Sequence, residues 1–150
     1  MESSNQLMKR EPVILLVDDN PGDIHLTQEA FRENGHRPHF LIADSGTDAL
    51  GVLRKEGAHG TAPTPDFILL DLNLPRMDGR ELLRLIKGDE QLRRIPTVIL
   101  TTSNRRQDIE QCYGLFANTY IVKPVHWDQF LKIVKSLEHY WFNVAALPAT

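Results

Sequence analysis

The chain has 150 residues, 41% hydrophobic and 25% charged, with a formal net charge of -3 and a single cysteine, Cys112. That length fits one domain able to bury a sizeable core, and the charge gives no global reason to expect nucleic-acid binding. One cysteine excludes an internal disulfide. The longest apolar runs are strand-sized, so no signal peptide or membrane span is expected and the compartment reads as cytoplasmic.

Residues 1–11 are polar and charged and read as a loosely held arm, followed by a domain over 12–142 and a short tail over 143–150. Val13 to Val17 is a buried strand ending at Asp18-Asp19. Asn20-Pro21-Gly22-Asp23 turns the chain into a helix from Pro21 or Gly22 to Asn34, stopped by Gly35. His39 to Ala43 alternates Phe40 and Ile42 against His39 and Leu41, the pattern of an edge strand. Ser45 caps a second helix that turns Ala49, Leu50 and Leu53 inward, and Gly57 to Pro65 is a loop.

The run Phe67-Ile68-Leu69-Leu70 is a strand buried on both faces, with Asp71 at its tip. Asp78-Gly79 precedes a third helix carrying Leu82, Leu83, Leu85 and Ile86. Thr97 to Leu100 is a fourth strand ending at Thr101-Thr102-Ser103, and Arg105 to Phe116 a weakly apolar fourth helix. Thr119 to Val122 gives way to Lys123-Pro124, and a last helix runs from about Trp127 to Trp141 with Phe130, Val134, Leu137 and Trp141 at helical spacing.

Five alternations of strand and helix imply an α/β fold: a doubly wound, flavodoxin-like parallel sheet in the order 2-1-3-4-5, with helices on both faces. In that order strands one and three flank the topological switch point, where open α/β sheets place ligands. Asp18-Asp19 and Asp71 end those two strands. Clustered carboxylates raise each other's pKa or recruit a cation, and an oxygen-only ligand set favours Mg²⁺. A carboxylate can itself be the nucleophile in phosphoryl transfer, where catalysis is mainly positioning and charge neutralisation. Lys123 can pair with a phosphoryl oxygen, and a hydroxyl at Thr101 or a backbone N–H can bond another.

These motifs, Val17-Asp18-Asp19, Leu70-Asp71 through Met77-Asp78-Gly79, Leu100-Thr101-Thr102-Ser103 and Val122-Lys123-Pro124, resemble those of the receiver domains of two-component response regulators (the CheY-like fold), over about Val13 to Tyr140. The resemblance implies that Asp71 is the phosphoacceptor and that Mg²⁺ is held by Asp19 directly, by Asp18 largely through water, by Asp71 and by the backbone carbonyl of Asn73. It implies that Lys123, Thr101 and Thr102 contact the phosphoryl group, that Thr101 and Tyr120 form a switch pair, and that the bond before Pro124 is cis. With no second domain after the last helix, the chain reads as a single-domain regulator. Asn20-Pro21-Gly22-Asp23, the long Gly57–Pro65 loop and His139-Tyr140-Trp141-Phe142-Asn143-Val144 are similar to the small regulators of cyanobacterial phytochromes and bacteriophytochromes. That likeness implies a histidine kinase partner of bacteriophytochrome type and a homodimer through the fourth helix, fifth strand and fifth helix, with no nucleic acid and no membrane. Such a domain catalyses only its own phosphorylation and dephosphorylation.

Plainer readings stand beside these. Thr101 alone is a capping or turn residue, and Tyr120 alone a core aromatic. Cys112 is a small buried apolar group, and the six histidines show no metal-ligand spacing. Tyr140-Trp141-Phe142 either cover the domain's own helices or belong to a dimer contact. The competing function is a small aspartyl-nucleophile phosphatase or phosphotransferase of similar topology. Those enzymes usually carry a second carboxylate two residues after the nucleophile, where this chain has Asn73. A flavin or dinucleotide binder lacks its glycine-rich loop after the first strand.

Overall fold

The computed structural model describes residues 11–35 and 37–144, with only the backbone at 143 and 144. The expected arm (apart from residue 11) and the tail beyond 144 lie outside the described residues. Five parallel strands, β1 (Val13–Val17), β2 (His39–Ala43), β3 (Phe67–Leu70), β4 (Thr97–Thr101) and β5 (Thr119–Val122), form one sheet in the order β2-β1-β3-β4-β5. The helices between and after them are α1 (Pro21–Glu33), α2 (Gly46–Arg54), α3 (Gly79–Gly88), α4 (Arg106–Gly114) and α5 (Trp127–Glu138). The topology and fold class are those expected from the sequence.

Side-chain caps explain where the first three helices start. Asn20 accepts the Asp23 N–H at 3.0 Å and Pro21 fills the first helical position, where its missing donor costs nothing. Ser45 accepts the Asp48 N–H at 3.1 Å to start α2, and Asp78 accepts the Arg80 N–H at 2.7 Å to start α3. Gly35 has φ of +88° after α1, a conformation that side chains resist.

The sheet separates two apolar cores. On one side Leu15, Ile68, Leu70 and Ile99 pack with α2, α3 and α4; on the other Ile14, Leu16, Phe67, Leu69 and Val98 pack with α1 and α5. The central strands are buried on both faces, which is why they read as continuous apolar runs.

Three local expectations change. In β2, Phe40 and Leu41 pack on opposite cores while Ile42 is 38% exposed, because an edge strand is covered where a helix crosses it. The Gly57–Pro65 loop opens with a short 3₁₀ turn, Gly57–His59, tied to α2 by His59 Nε2 and Asp48 Oδ1 at 3.0 Å. The last α-helix ends at Glu138 and continues as a π-helical turn over His139–Val144. That turn resolves the terminal aromatics. Phe142 is 3% exposed, beside Phe31 and Phe67, and Trp141 stacks on Phe67 with centroids 6.0 Å apart, whereas Tyr140 stays half exposed.

Candidate functional site

Parallel strands send all their C-terminal ends to one edge of the sheet, and the register decides which ends meet there. Val17 is opposite Leu70, Leu70 opposite Ile99, and Thr101 opposite Val122. Asp18 and Asp71 therefore follow adjacent registered residues of neighbouring strands, with Thr101 and Lys123 alongside.

Lys123 Nζ lies 3.1 Å from Asp18 Oδ2, 3.1 Å from Asp71 Oδ2 and 3.5 Å from Asp23 Oδ2. Asp18, Asp71 and Lys123 are nearly covered, and Asp23 is the wet member of the group. Burial raises the Asp18 pKa above the usual carboxylate value, against the opposing pull of the Asn20 N–H and the Lys123 charge. Burial alone would lower the Lys123 ammonium; the Asp71 and Asp18 carboxylates outweigh it and raise that pKa instead. Each acid is also fixed by a local N–H: Asn20 donates to Asp18 Oδ1 at 2.9 Å and Asn73 to Asp71 Oδ1 at 3.1 Å.

Asp18, Asp23 and Asp71 each bring a carboxylate oxygen within 4.8 Å of the others. Three hard oxygen donors fit a small divalent cation. Thr101 is fully buried, and its hydroxyl has no hydrogen-bond partner among the described residues. An unpaired buried hydroxyl beside an acid cluster fits a site that receives a further polar group. A cleft of about 270 Å³, lined by Asp23, Thr27, Lys123 and Trp127 among others, adjoins the cluster.

The other expected residues are placed as follows. Asp19 is exposed and is not among the clustered carboxylates. Asn73 and Thr102 are exposed in the loops after β3 and β4. Tyr120 is partly buried against the core beneath α4, and its hydroxyl donates to the Ser103 carbonyl at 2.9 Å. The expected cis bond before Pro124 is corrected: no described peptide bond is cis. The trans form is the intrinsic preference, and with it Lys123 already reaches both carboxylates while its N–H donates to the Thr101 carbonyl at 2.7 Å. Asp23 was not foreseen as a site residue. The available signal was an acid at the third position of a helix that starts beside the Asp18-Asp19 strand end.

Residues 14–135 match the family model described as the response regulator receiver domain. The chain belongs to this family. Response regulator Rcp1 of Synechocystis is 39% identical over 137 residues, which span 91% of this chain and 93% of that protein. The phosphorylated cyanobacterial phytochrome response regulator RcpA superposes with a TM-score of 0.88 at 44% identity, covering 93% of this chain and all of that one. The Mn²⁺-bound form of Rcp1 gives a TM-score of 0.85 at 39% identity, covering 92% and 99%. This chain is thus similar to phytochrome response regulators. Receiver domains are signalling modules of two-component systems rather than enzymes in the ordinary sense, and they hold Mg²⁺ or Mn²⁺ at an acidic pocket. Among the described residues no helix is long and apolar enough to cross a membrane.

Proposed function

We propose that the domain spanning 12–142 is a phosphorylation switch in which Asp71 accepts a phosphoryl group from a histidine kinase. The observation that supports this reading most is the Asp18–Asp23–Asp71 cluster gathered on Lys123, with the unpartnered Thr101 hydroxyl at the neighbouring strand end. A carboxylate oxygen of Asp71 attacks phosphorus, the bond from phosphorus to the donor imidazole breaks, and the imidazole leaves as the neutral base after taking up a proton. The product is an acyl phosphate on Asp71. Lys123 transfers its pairing from the carboxylate to a phosphoryl oxygen, and the Thr101 hydroxyl donates to another.

Asp18, Asp23 and Asp71 would hold Mg²⁺, with Asp19 and the Asn73 carbonyl as the ligands the family resemblance adds. The ion's contribution is to neutralise charge on the phosphoryl oxygens. Thr102, beside Thr101, borders the bound group. Loss of the phosphoryl group to water proceeds in the same site.

Similarity to Rcp1 and RcpA supports a kinase of phytochrome type, acting in the cytoplasm on a protein partner rather than nucleic acid or membrane. The half-exposed Tyr113 and the exposed Phe116 and Val122 support a homodimer through the α4–β5–α5 face. Asn73, where a phosphatase of similar topology carries an acid, argues against turnover of a separate substrate.

The test is intact mass after incubation with Mg²⁺ and acetyl phosphate. A single phosphoryl adduct that requires Mg²⁺ and is absent from Asp71→Asn is the expected result. An unchanged adduct in the variant removes Asp71 as acceptor.

A further inference from the structure

A chain of contacts, polar from Arg80 onwards, runs from the acceptor strand to Tyr120 without passing through the acid cluster. It starts at Gly79, the first residue of α3. A Cβ there would lie 2.6 Å from the Asp71 carbonyl and 2.6 Å from Leu72 Cα, so the helix start rests directly on the acceptor's backbone. Arg80, the next residue, donates from Nη1 to Asp78 at 2.8 Å and 2.9 Å and from Nε to Asp108 Oδ1 at 3.1 Å. Asp108, on α4 and 6% exposed, takes the Ser103 hydroxyl on its other oxygen at 2.5 Å. The Ser103 carbonyl in turn receives the Tyr120 hydroxyl. The Ser103 hydroxyl first, and then Arg80, hold the Asp108 carboxyl below the usual carboxylate range.

The direction of this chain matters. With its hydroxyl on Ser103 and its ring packed against the core beneath α4, Tyr120 is turned in rather than out. The loop after β4 is the segment that has to be in place for the ring to stay there, and its fixed points are Ser103 and Asp108. Charge-assisted bonds of this kind are the stronger class, and here both partners are largely covered.

We propose that Arg80 and Asp108 are a positioning pair that holds the β4–α4 loop, and through Ser103 the Tyr120 ring, in the inward arrangement before any phosphoryl group arrives. The proposal rests on the reading of Asp71 as acceptor and Tyr120 as its switch partner. Under it the domain is pre-set to accept a phosphoryl group, and loosening the pair shifts the population towards an outward ring that accepts it more slowly.

The experiment uses the full chain labelled with fluorotyrosine, with the Tyr120 fluorine resonance assigned by Tyr120→Phe. Solvent exposure is read from the shift between light and heavy water, with no Mg²⁺ and no phosphoryl donor. Asp108→Asn and Ser103→Ala are the test variants; the second keeps the carbonyl that Tyr120 uses and carries the test alone if Asp108→Asn does not fold. Arg84→Met, which removes the exposed Arg84–Glu81 pair on the same helix, is the control. Tyr120 is expected to be shielded in the wild type and in the control, and exposed in both test variants. Shielding that persists in both test variants, or an exposed Tyr120 in the wild type, overturns the proposal.

A second arm follows uptake of phosphoryl from acetyl phosphate with Mg²⁺ by intact mass. Asp108→Asn and Ser103→Ala are expected to be slower by roughly fivefold or more. Equal rates overturn the positioning role. No adduct on the wild type instead removes the Asp71 reading, while the resonance still reports whether the pair holds the ring.

Discussion

Thr101 places a hydroxyl at zero exposure with no partner among the described residues, an arrangement that disfavours the fold and suits a group arriving later. Thr101→Val keeps the shape and removes the unpaired oxygen. Its unfolding free energy in urea is expected to rise by about 1 kcal/mol, while the acyl phosphate on Asp71 forms more slowly. A drop in stability would show that the hydroxyl already has a partner. Asp23 and Asp19 separate in the same way. Asp23 joins the cluster and Asp19 does not, so Asp23→Asn is expected to weaken Mg²⁺ binding about tenfold by calorimetry. A larger effect from Asp19→Asn would put the family-derived ligand ahead of the one the geometry favours.

At the scale of elements, α5 carries its own pH dependence. Glu138 is 1% exposed, and burial pushes its carboxyl up to about 7 from 4.5, with the Asn34 amide opposing. The folded state therefore binds a proton that the unfolded chain has already released between about pH 4.5 and 7. Stability contributed by the neutral acid is complete below that window and is lost as pH rises through it, on the order of 3 kcal/mol in all. Glu138→Gln is expected to flatten that fall and to be the more stable protein above about pH 7, measured as urea midpoints across pH. A parallel pH profile in the variant would refute it. The same helix shows what the sequence could and could not tell. Phe130, Val134 and Leu137 at helical spacing located it, and the apolar runs of β1, β3 and β4 located the strands, because buried elements must present apolar faces. The end at Glu138 and the π turn beyond had no local signal, since what bends the chain there is Trp141 and Phe142 docking on Phe67, a residue two strands away in the sheet order from the β5 edge. Asp18, Asp71 and Lys123 were legible because each ends a strand. The Arg80–Asp108 contact was not, because only the fold brings those two helices together; Asp23 stands close to Asp18 in the chain, but it ends no strand, and only the start of α1 turns it towards Lys123.

For the whole molecule, the proposed self-association meets an oddity of backbone. Phe116 follows α4 with φ of +71°, in the left-handed region where a glycine is normal, and leaves its ring 74% exposed. A strained residue with an exposed aromatic ring is consistent with the homodimer proposed for the α4–β5–α5 face. Phe116→Gly is expected to stabilise the monomer by up to about 1 kcal/mol and to weaken self-association in sedimentation; unchanged association would remove this face from the contact. The sheet itself carries a further consequence. Because its side chains divide into two cores that do not mix, volume exchanged between α1 and α5 is not felt by α3 and α4. Descendants of such a chain can therefore rework the cleft beside Lys123 while keeping the Arg80–Asp108 side intact.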